Sequence, residues 1–323
     1  MKTYPIKFTP ILQDKIWGGQ KLKTVLNKQT DLNRVGESWE ISSVKDAISV
    51  VANGMYKGKS LIELIAENKT SLLGEKVYQQ FGNTFPLLIK FIDATENLSI
   101  QLHPNDELAQ KRHNSFGKTE MWYVVDADKG AELNVGFSKE MTPEAYQQAV
   151  AEKKVLDVCN FEKVQAGDSY FIKAGLVHAI GAGCLIAEIQ QTSDITYRIY
   201  DWDRVDDQGN ERELHTDLAV EALDYSECTD VKCRFEKKKN QPSEIATCDY
   251  FTTNYLKVND LFTRDLLQIA SFVVYICVGG SGTIIVNGIK ENIQSGETIL
   301  IPANAEKVDI EAQEIELLEV YIK

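Results

Sequence analysis

The chain has 323 residues, of which 43% are hydrophobic and 26% are charged, and its formal net charge is −13. This length suffices for one large β domain or for two closely joined modules. The acidic balance argues against a nucleic-acid partner, because nucleic-acid phosphates require a basic surface. An anionic small substrate would need a local cluster of lysine and arginine to overcome the overall repulsion.

Features of the sequence that report on cellular location favour the cytoplasm. No stretch approaches the roughly 20 apolar residues that span a membrane as a helix. The first residues, MKTYPIKFTPIL, contain no long apolar run and no small-residue cleavage site, so a secretory signal is not expected. The six cysteines are scattered, which is typical of free thiols in a reducing compartment. The prediction is a cytoplasmic protein without a membrane partner.

The amino-terminal third predicts strands, then helices, then strands. Residues 1–60 are rich in glycine and aromatic residues and contain strand-like runs. Residues 60–81 carry apolar side chains at the spacing of one or two short amphipathic helices. Residues 85–102 are dense in leucine, isoleucine and phenylalanine, and they predict two buried strands with a break near 93–95.

The middle of the chain predicts more strands, interrupted by a helical insert. Residues 121–137 predict two strands around a turn, and strand patterning resumes at 161–200. Between them, residues 143–155 are rich in alanine, glutamate and glutamine, and Thr142 is a suitable helix cap. Residues 212–226 predict a further helix.

The carboxy-terminal part predicts short strands that repeat an earlier pattern. The segment GETILIPA begins at Gly296, and GDSYFIKA begins 129 positions earlier at Gly167. A glycine, an acidic residue, an apolar strand and a following turn resemble the second motif of the cupin superfamily, a small jelly-roll barrel that binds ligands in its mouth. The prediction is a mainly β chain of two cupin-like barrels with a small helical portion. A polar stretch at 235–243 is the linker candidate, so residues 1–235 form the catalytic module and 236–323 the second module.

Metal-ligand side chains occur in the first module alone. The repeat aligns His178 with Lys307, and an upstream match offset by 152 positions aligns Glu120 with Phe272. Phenylalanine and protonated lysine offer no lone pair to a metal ion. The second module is therefore predicted to be structural.

Four side chains of the first module could hold one metal ion. Ser99, Gln101 and His103 alternate along a strand, so all three point to one face. Glu120 opens the next strand, and His178 follows a later strand and its turn. Two histidines, a glutamate and a glutamine provide nitrogen and oxygen donors that suit a catalytic Zn²⁺, and also Fe²⁺ or Mn²⁺. The remaining two histidines are interpreted as surface or helix residues.

Five short motifs in order resemble the type I mannose-6-phosphate isomerase family. They are IWGG at 16–19, SIQLHPND at 99–106, GKTEMW at 117–122, GLVHA at 175–179 and E…SDITYR at 188–198. Their order and spacing hold across about residues 5–204, in a form similar to the short bacterial branch of the family.

The resemblance implies a zinc enzyme that interconverts mannose 6-phosphate and fructose 6-phosphate. The implied ligands of one Zn²⁺ per chain are Gln101, His103, Glu120 and His178. Arg198 is implied to face the substrate. Longer members follow this arginine with a glycine-proline-lysine stretch, and Arg204 occupies the position of that lysine here. Arginine and lysine differ in donor geometry, so the mode of phosphate binding is left open.

An aldose–ketose isomerisation moves a proton between C2 and C1 through an enediol. A zinc ion can polarise the two oxygens as a Lewis acid, and Arg198 can stabilise the enediolate. Lys118, Glu188 and Asp194 are alternative candidates for the base. No feature of the sequence decides among these three.

The phosphate group of such a substrate requires local cations. Lys90, Lys118 and Arg204 are candidates, with Ser99 as a hydroxyl donor. Trp17 is a candidate either for the substrate site or for the core.

Two other classes of function fit parts of the pattern. Another cupin metalloenzyme, such as a different sugar-phosphate isomerase or a dioxygenase, would use the same barrel, although a dioxygenase usually has more histidine ligands. A non-catalytic sugar-binding cupin would be expected to lack the metal ligands or Arg198, and both are present. Monomer and homodimer are equally compatible with the sequence.

Overall fold

The computed structural model describes residues 1–206 and 208–323, which form seven short helices and nineteen strands. The helices are α1 (Lys21–Thr24), α2 (Leu61–Asn68), α3 (Thr70–Leu73), α4 (Glu75–Phe81), α5 (Asp106–His113), α6 (Pro143–Ala151) and α7 (Thr216–Ala222). None of the described helices combines the length and apolar character needed to cross a membrane.

The first thirteen strands belong to the amino-terminal two thirds of the chain. They are β1 (Ile6–Thr9), β2 (Ile11–Gln13), β3 (Glu37–Ile41), β4 (Val50–Val51), β5 (Leu87–Ala94), β6 (Ile100–Leu102), β7 (Glu120–Ala127), β8 (Glu132–Phe137), β9 (Cys159–Lys163), β10 (Ser169–Ile172), β11 (His178–Ile180), β12 (Cys184–Gln191) and β13 (Tyr197–Tyr200). The remaining six are β14 (Ser243–Thr247), β15 (Thr252–Asp265), β16 (Val273–Val286), β17 (Ile289–Gln294), β18 (Thr298–Ile301) and β19 (Lys307–Tyr321).

The strands form three sheets, and this confirms the prediction of a mainly β fold. A six-stranded sheet has the order β10-β7-β12-β5-β3-β2, and a five-stranded sheet has the order β13-β6-β11-β8-β9. An eight-stranded sheet contains β14-β15-β19-β16-β18-β1-β4, with β17 paired to β16. The pattern fits two cupin-like barrels. The division at 235/236 stays a prediction, and β1 pairs with β18 of the eight-stranded sheet.

Alternation along the strands separates the cores of the molecule. Trp122 and Ile186 of the six-stranded sheet pack with Leu133 of the five-stranded sheet, so these two sheets face each other around one core. Phe91, on the opposite side of the six-stranded sheet, packs with Phe272 in a second core shared with the eight-stranded sheet. Successive residues of a strand point to opposite faces, which explains this division.

The helices follow their predicted positions with changes in length. Residues 60–81 form three helices instead of one or two, and Ser60 closes a capping box with Glu63 at the first of them. Thr142 caps α6 as predicted, because its hydroxyl accepts a hydrogen bond from the backbone N–H of Ala145 at 3.2 Å. The predicted helix at 212–226 is shorter and begins at Thr216.

The internal repeat is a repeated turn with the same hydrogen bonds. Gly167 and Gly296 have φ values of +91° and +87°, which only glycine adopts without strain. The N–H of Gly167 donates to the carbonyl of Val124 at 2.8 Å, and the N–H of Gly296 donates to the carbonyl of Cys277 at 2.9 Å. The two turns therefore occupy equivalent places in their sheets.

The repeat also corrects the predicted alignment by one residue. The first turn is bonded to Val124 and the second to Cys277, so these two residues are equivalent and the upstream match is offset by 153 positions. Glu120 therefore aligns with Val273 instead of Phe272. A shift of one residue moves a side chain to the other face of a strand. Phe272 indeed packs between the sheets, whereas Val273 points into the carboxy-terminal core. Valine offers no metal donor, so the predicted absence of ligands there is unaffected.

Candidate metal centre and active site

A cavity of about 460 Å³ opens between the six-stranded and five-stranded sheets. It is lined by nine of the residues predicted for the site. They are Trp17, Lys90, Ser99, Gln101, Lys118, His178, Glu188, Asp194 and Arg198. His103 and Glu120 lie against this group, each 1% exposed. Among the described residues Arg204 does not line the cavity.

Two strand ends bring His103 and His178 together. His103 directly follows β6, and two residues later Asn105 caps α5. His178 is the first residue of β11 and pairs with Gln101 of β6. The Nε2 atoms of the two histidines are 3.2 Å apart. Neighbouring residues on paired strands share one face of the sheet, so Gln101 and His178 both point into the cavity.

The tautomers of these histidines leave two lone pairs facing each other. Nδ1 of His103 lies 2.8 Å from the carbonyl oxygen of Ile195, and Nδ1 of His178 lies 2.8 Å from that of Leu176. A carbonyl oxygen only accepts, so each Nδ1 carries the hydrogen. Burial and the Lys118 charge lower the pKa of His103 to about 3, and burial lowers the pKa of His178. Both rings are therefore neutral, and no proton lies between the two Nε2 atoms.

Glu120 provides the third donor. Its Oε1 lies 3.1 Å from Nε2 of His103 and 2.9 Å from Nζ of Lys118, and its Oε2 lies 3.9 Å from Nε2 of His178. Burial opposes its charge, but the nearby Lys118 ammonium favours it, and the pKa of Glu120 lies well below its usual range. Ligand atoms of the two histidines and the glutamate all lie within 4.8 Å of one another. Nζ of Lys118 also lies 3.2 Å from Nε2 of His103. Two unprotonated imidazole nitrogens and a carboxylate are donor types that fit a divalent cation.

A second buried carboxylate, Glu188, lies beside the metal-ligand cluster. Its Oε1 is 2.9 Å from Nζ of Lys90, and its Oε2 accepts a hydrogen bond from the indole N–H of Trp122 at 2.9 Å. Burial and the charge of Glu120 raise the pKa of Glu188. Burial disfavours the charge of Lys90, but Glu188 and Glu37 outweigh this effect and raise its pKa. Lys90 and Glu188 therefore form a buried ion pair in the wall of the cavity.

The remaining predicted residues lie at the rim or outside the cavity. Arg198 is opposite Gln101 in the sheet, and its Nη1 donates to the carbonyl of Glu213 at 2.9 Å. Asp194 is an exposed lining residue. Trp17 is 4% exposed; it packs in the core and also lines the cavity, and its contact with a substrate stays a prediction. Arg204 donates to the carbonyl of Asn97 at 2.7 Å, behind the cavity.

Seven polar or aromatic lining residues were not predicted as site residues from the sequence. They are Gln13, Lys15, Glu37, Trp39, Trp122, Thr196 and Arg212. Trp39 is in register with Lys90, whose Nζ lies 5.7 Å from the centre of the indole ring, and its own N–H donates to Glu37 at 2.7 Å. Alternation along 37–41 places Glu37 and Trp39 on one face. This alternation is visible in the sequence, but it does not indicate which face of the strand meets the cavity.

The fold and the site together define a mainly β, cupin-type protein with a buried histidine–glutamate–histidine cluster at the cavity. Residues 6–148 match the family model of the type I phosphomannose isomerase catalytic domain, and residues 243–322 match that of the mannose-6-phosphate isomerase cupin domain. Mannose-6-phosphate isomerase ManA of Bacillus subtilis is 36% identical over 308 residues, which are 94% of each chain. A mannose-6-phosphate isomerase of Streptococcus mutans is 33% identical over 302 residues, 92% of each chain.

The structural comparison agrees. The crystal structure of mannose 6-phosphate isomerase from Bacillus subtilis superimposes with a TM-score of 0.89 at 31% identity, and covers 99% of this chain and 100% of its own. The chain thus belongs to the type I mannose-6-phosphate isomerase family, and it is a member of an enzyme family as the motifs predicted.

Proposed function

We propose that this chain is a zinc-dependent isomerase that interconverts mannose 6-phosphate and fructose 6-phosphate through an enediol. Family membership supports the reaction. The observation that carries the metal part is the pair of unprotonated Nε2 atoms, 3.2 Å apart, with the Glu120 carboxylate beside them. His103, His178, Glu120 and Gln101 would hold the ion. When bound, Zn²⁺ would supply Lewis-acid polarisation of the substrate oxygens at C1 and C2.

The residues around the cavity divide the remaining work. Glu188 is our choice for the base that carries the proton between C2 and C1, because its raised pKa brings it closer to working pH and it lines the cavity. Lys90 and Trp122 orient its two oxygens. Lys118 remains a further candidate because it lines the cavity beside the metal-type donors, although its ammonium, 2.9 Å from Glu120, would first have to lose its proton. Asp194 is the most exposed of the three candidate bases.

Arg198 steadies the negative charge of the enediolate in this proposal. It is opposite Gln101 in the sheet and therefore close to the predicted metal ligands. A guanidinium stabilises an oxyanion without losing its proton, because its pKa lies far above neutrality. The predicted cytoplasmic location is compatible with six free cysteines in the structure and stays a prediction.

One assay tests the proposal. Purified protein should convert mannose 6-phosphate to fructose 6-phosphate, lose this activity in a strong chelator and regain it with Zn²⁺. Metal analysis should find one ion per chain. Turnover that survives complete metal removal would contradict the zinc dependence. Oxygen consumption with Fe²⁺ would favour the dioxygenase alternative, and sugar-phosphate binding without turnover would favour a binding protein.

A further inference from the structure

A second guanidinium reaches the cavity on residues 212–215, which we call the RELH segment. It runs beside β13 ahead of α7. The N–H of His215 donates to the carbonyl of Arg198 at 2.6 Å, and the N–H of Arg198 donates to Nδ1 of His215 at 3.2 Å. The Arg198 guanidinium also donates to the carbonyl of Glu213. These three bonds attach the segment to Arg198, and its first residue, Arg212, lines the cavity.

Arg212 is oriented by a buried carboxylate. Its Nε lies 2.7 Å from Oδ2 of Asp201 and its Nη2 lies 2.5 Å from Oδ1, so the two groups form a bidentate pair. Asp201 is 5% exposed, whereas the Arg212 side chain is 30% exposed. A bidentate pair fixes the plane of a guanidinium. Arg212 is therefore held in place at the cavity, with N–H groups that Asp201 does not use.

Arg204 contacts the same carboxylate but faces away from the cavity. Its Nη2 lies 3.2 Å from Oδ1 of Asp201 and also donates to the carbonyl of Asn97 at 2.7 Å, and its Nη1 lies 3.4 Å from Glu96. The structure therefore places a supporting cation at the position that the sequence aligned with the family's lysine, and a different arginine at the cavity.

The arginine cluster carries surplus positive charge in an acidic chain. Arg204 and Arg212 share the buried carboxylate of Asp201, and Arg204 also lies 3.4 Å from the exposed Glu96. Arg198 has no carboxylate within 4.0 Å among the described residues, so the three arginines outnumber these two carboxylates. The two buried lysines of the cavity are already paired, Lys90 with Glu188 and Lys118 with Glu120. Burial and the neighbouring Arg212 lower the pKa of Arg198, so an anion bound there would relieve repulsion.

We propose that Arg212, held by Asp201, binds the phosphate group of the substrate, while Arg198 serves the reacting carbons. The assignment rests on the proposed isomerase function, which supplies a phosphorylated sugar as the ligand. The surplus positive charge of the cluster attracts a phosphate dianion, and a guanidinium offers paired donors to phosphate oxygens. Ser99 lines the same cavity, but its hydroxyl already donates to Oε1 of Gln101 at 3.0 Å. In this assignment Arg204 is a positioning residue that acts through Asp201.

Steady-state kinetics and calorimetry of Arg212→Gln test the proposal. A hydrogen bond to a charged group contributes about 1.5–3 kcal/mol, so we expect KM for mannose 6-phosphate to rise roughly 10- to 100-fold. The kcat should change less than about 3-fold, because the reacting carbons keep their partners. The dissociation constant of inorganic phosphate, measured by calorimetry on the metal-loaded protein, should rise in parallel with KM. An unchanged KM, or a fall in kcat with unaltered phosphate binding, overturns the assignment.

Three variants keep the test interpretable. Arg212→Lys retains the charge but not the bidentate hydrogen bonds, and it should raise KM by an intermediate factor. It serves as the test variant if Arg212→Gln proves unstable in thermal unfolding. Arg204→Gln should raise KM less than Arg212→Gln, and an equal rise would overturn the choice of Arg212. Arg234→Gln removes a charge from an exposed residue outside the cavity and should leave KM unchanged. If the wild-type protein shows no turnover, the isomerase proposal fails, while phosphate calorimetry on the same variants still decides the role of Arg212.

Discussion

The two halves of the repeat place a buried carboxylate at the same point of the sheet but use it differently. Glu188 lies opposite Trp122 on the neighbouring strand, and Glu319 lies opposite Tyr275, which is 153 positions after Trp122. In each half the aromatic side chain donates to the carboxylate, at 2.9 Å from Trp122 and 3.0 Å from Tyr275. The framework of the two sites is therefore the same.

The surroundings of the two carboxylates explain why one faces a functional cavity. Glu319 is fully buried and receives further hydrogen bonds from Asn254 at 2.8 Å and from Arg264 at 2.8 and 3.1 Å. Glu188 instead lines the cavity beside a cluster of metal-type donors. A buried carboxylate whose acceptors are all used stabilises the fold, whereas one with an adjacent cavity is available for chemistry.

The largest expected difference comes from alanine substitutions at two equivalent positions of the repeat, His178 and Lys307. His178→Ala should abolish metal binding and reduce kcat by roughly 10³-fold or more, as expected when electrostatic and acid–base catalysis fail together. Lys307→Ala should leave both unchanged, because its side chain is 66% exposed. Metal content by atomic spectroscopy and isomerase rates measure the two effects. Metal retained at full occupancy in His178→Ala would show that the site lies elsewhere.

One arginine from each half should separate activity from stability. Arg198→Ala should keep the metal but lower kcat about 10²- to 10³-fold through loss of enediolate stabilisation. Arg264→Ala leaves Glu319 buried without its cation and should lower the free energy of unfolding by about 3 kcal/mol. Denaturant unfolding and kinetics on both variants check the contrast. Full activity in Arg198→Ala would refute its role.

Placing the Glu120 side chain at its equivalent position should test whether the carboxy-terminal half tolerates a ligand. Val273 is 1% exposed in an apolar core, so Val273→Glu buries an unpaired carboxylate and should destabilise the protein by about 2–3 kcal/mol. Val273→Ile provides an apolar control with a smaller loss. Thermal unfolding of both proteins measures this, and equal stability of the Glu and Ile variants would contradict the assigned register.

The helical insert that precedes β9 has no counterpart in the second half and offers the smallest effect. Thr142→Ala removes the cap of α6 and should cost about 1 kcal/mol of unfolding free energy, with kcat unchanged. Thr142→Ser keeps the hydroxyl and should recover most of the loss. Chemical denaturation compares the three proteins. A larger loss that also lowers kcat would mean that the insert supports the cavity directly.

Features that depend on neighbouring residues were predictable from the sequence. The Ser99–His103 alternation, the cap at Thr142 and the repeated turns at Gly167 and Gly296 each follow from local geometry, since strand periodicity, capping and positive φ involve only a few residues. The motif spacing likewise indicated the family, and the predicted metal-type residues lie together in the structure.

Features that depend on long-range packing were decided by the tertiary structure. The offset of 153 comes from strand pairing. The proposed assignment of Arg212, in place of Arg204, to the phosphate rests on the way the RELH segment binds to Arg198 and Asp201. In both cases several local arrangements are compatible with the same sequence. Burial of one strand face and satisfaction of buried charges select among them, and both require contacts between residues far apart in the chain.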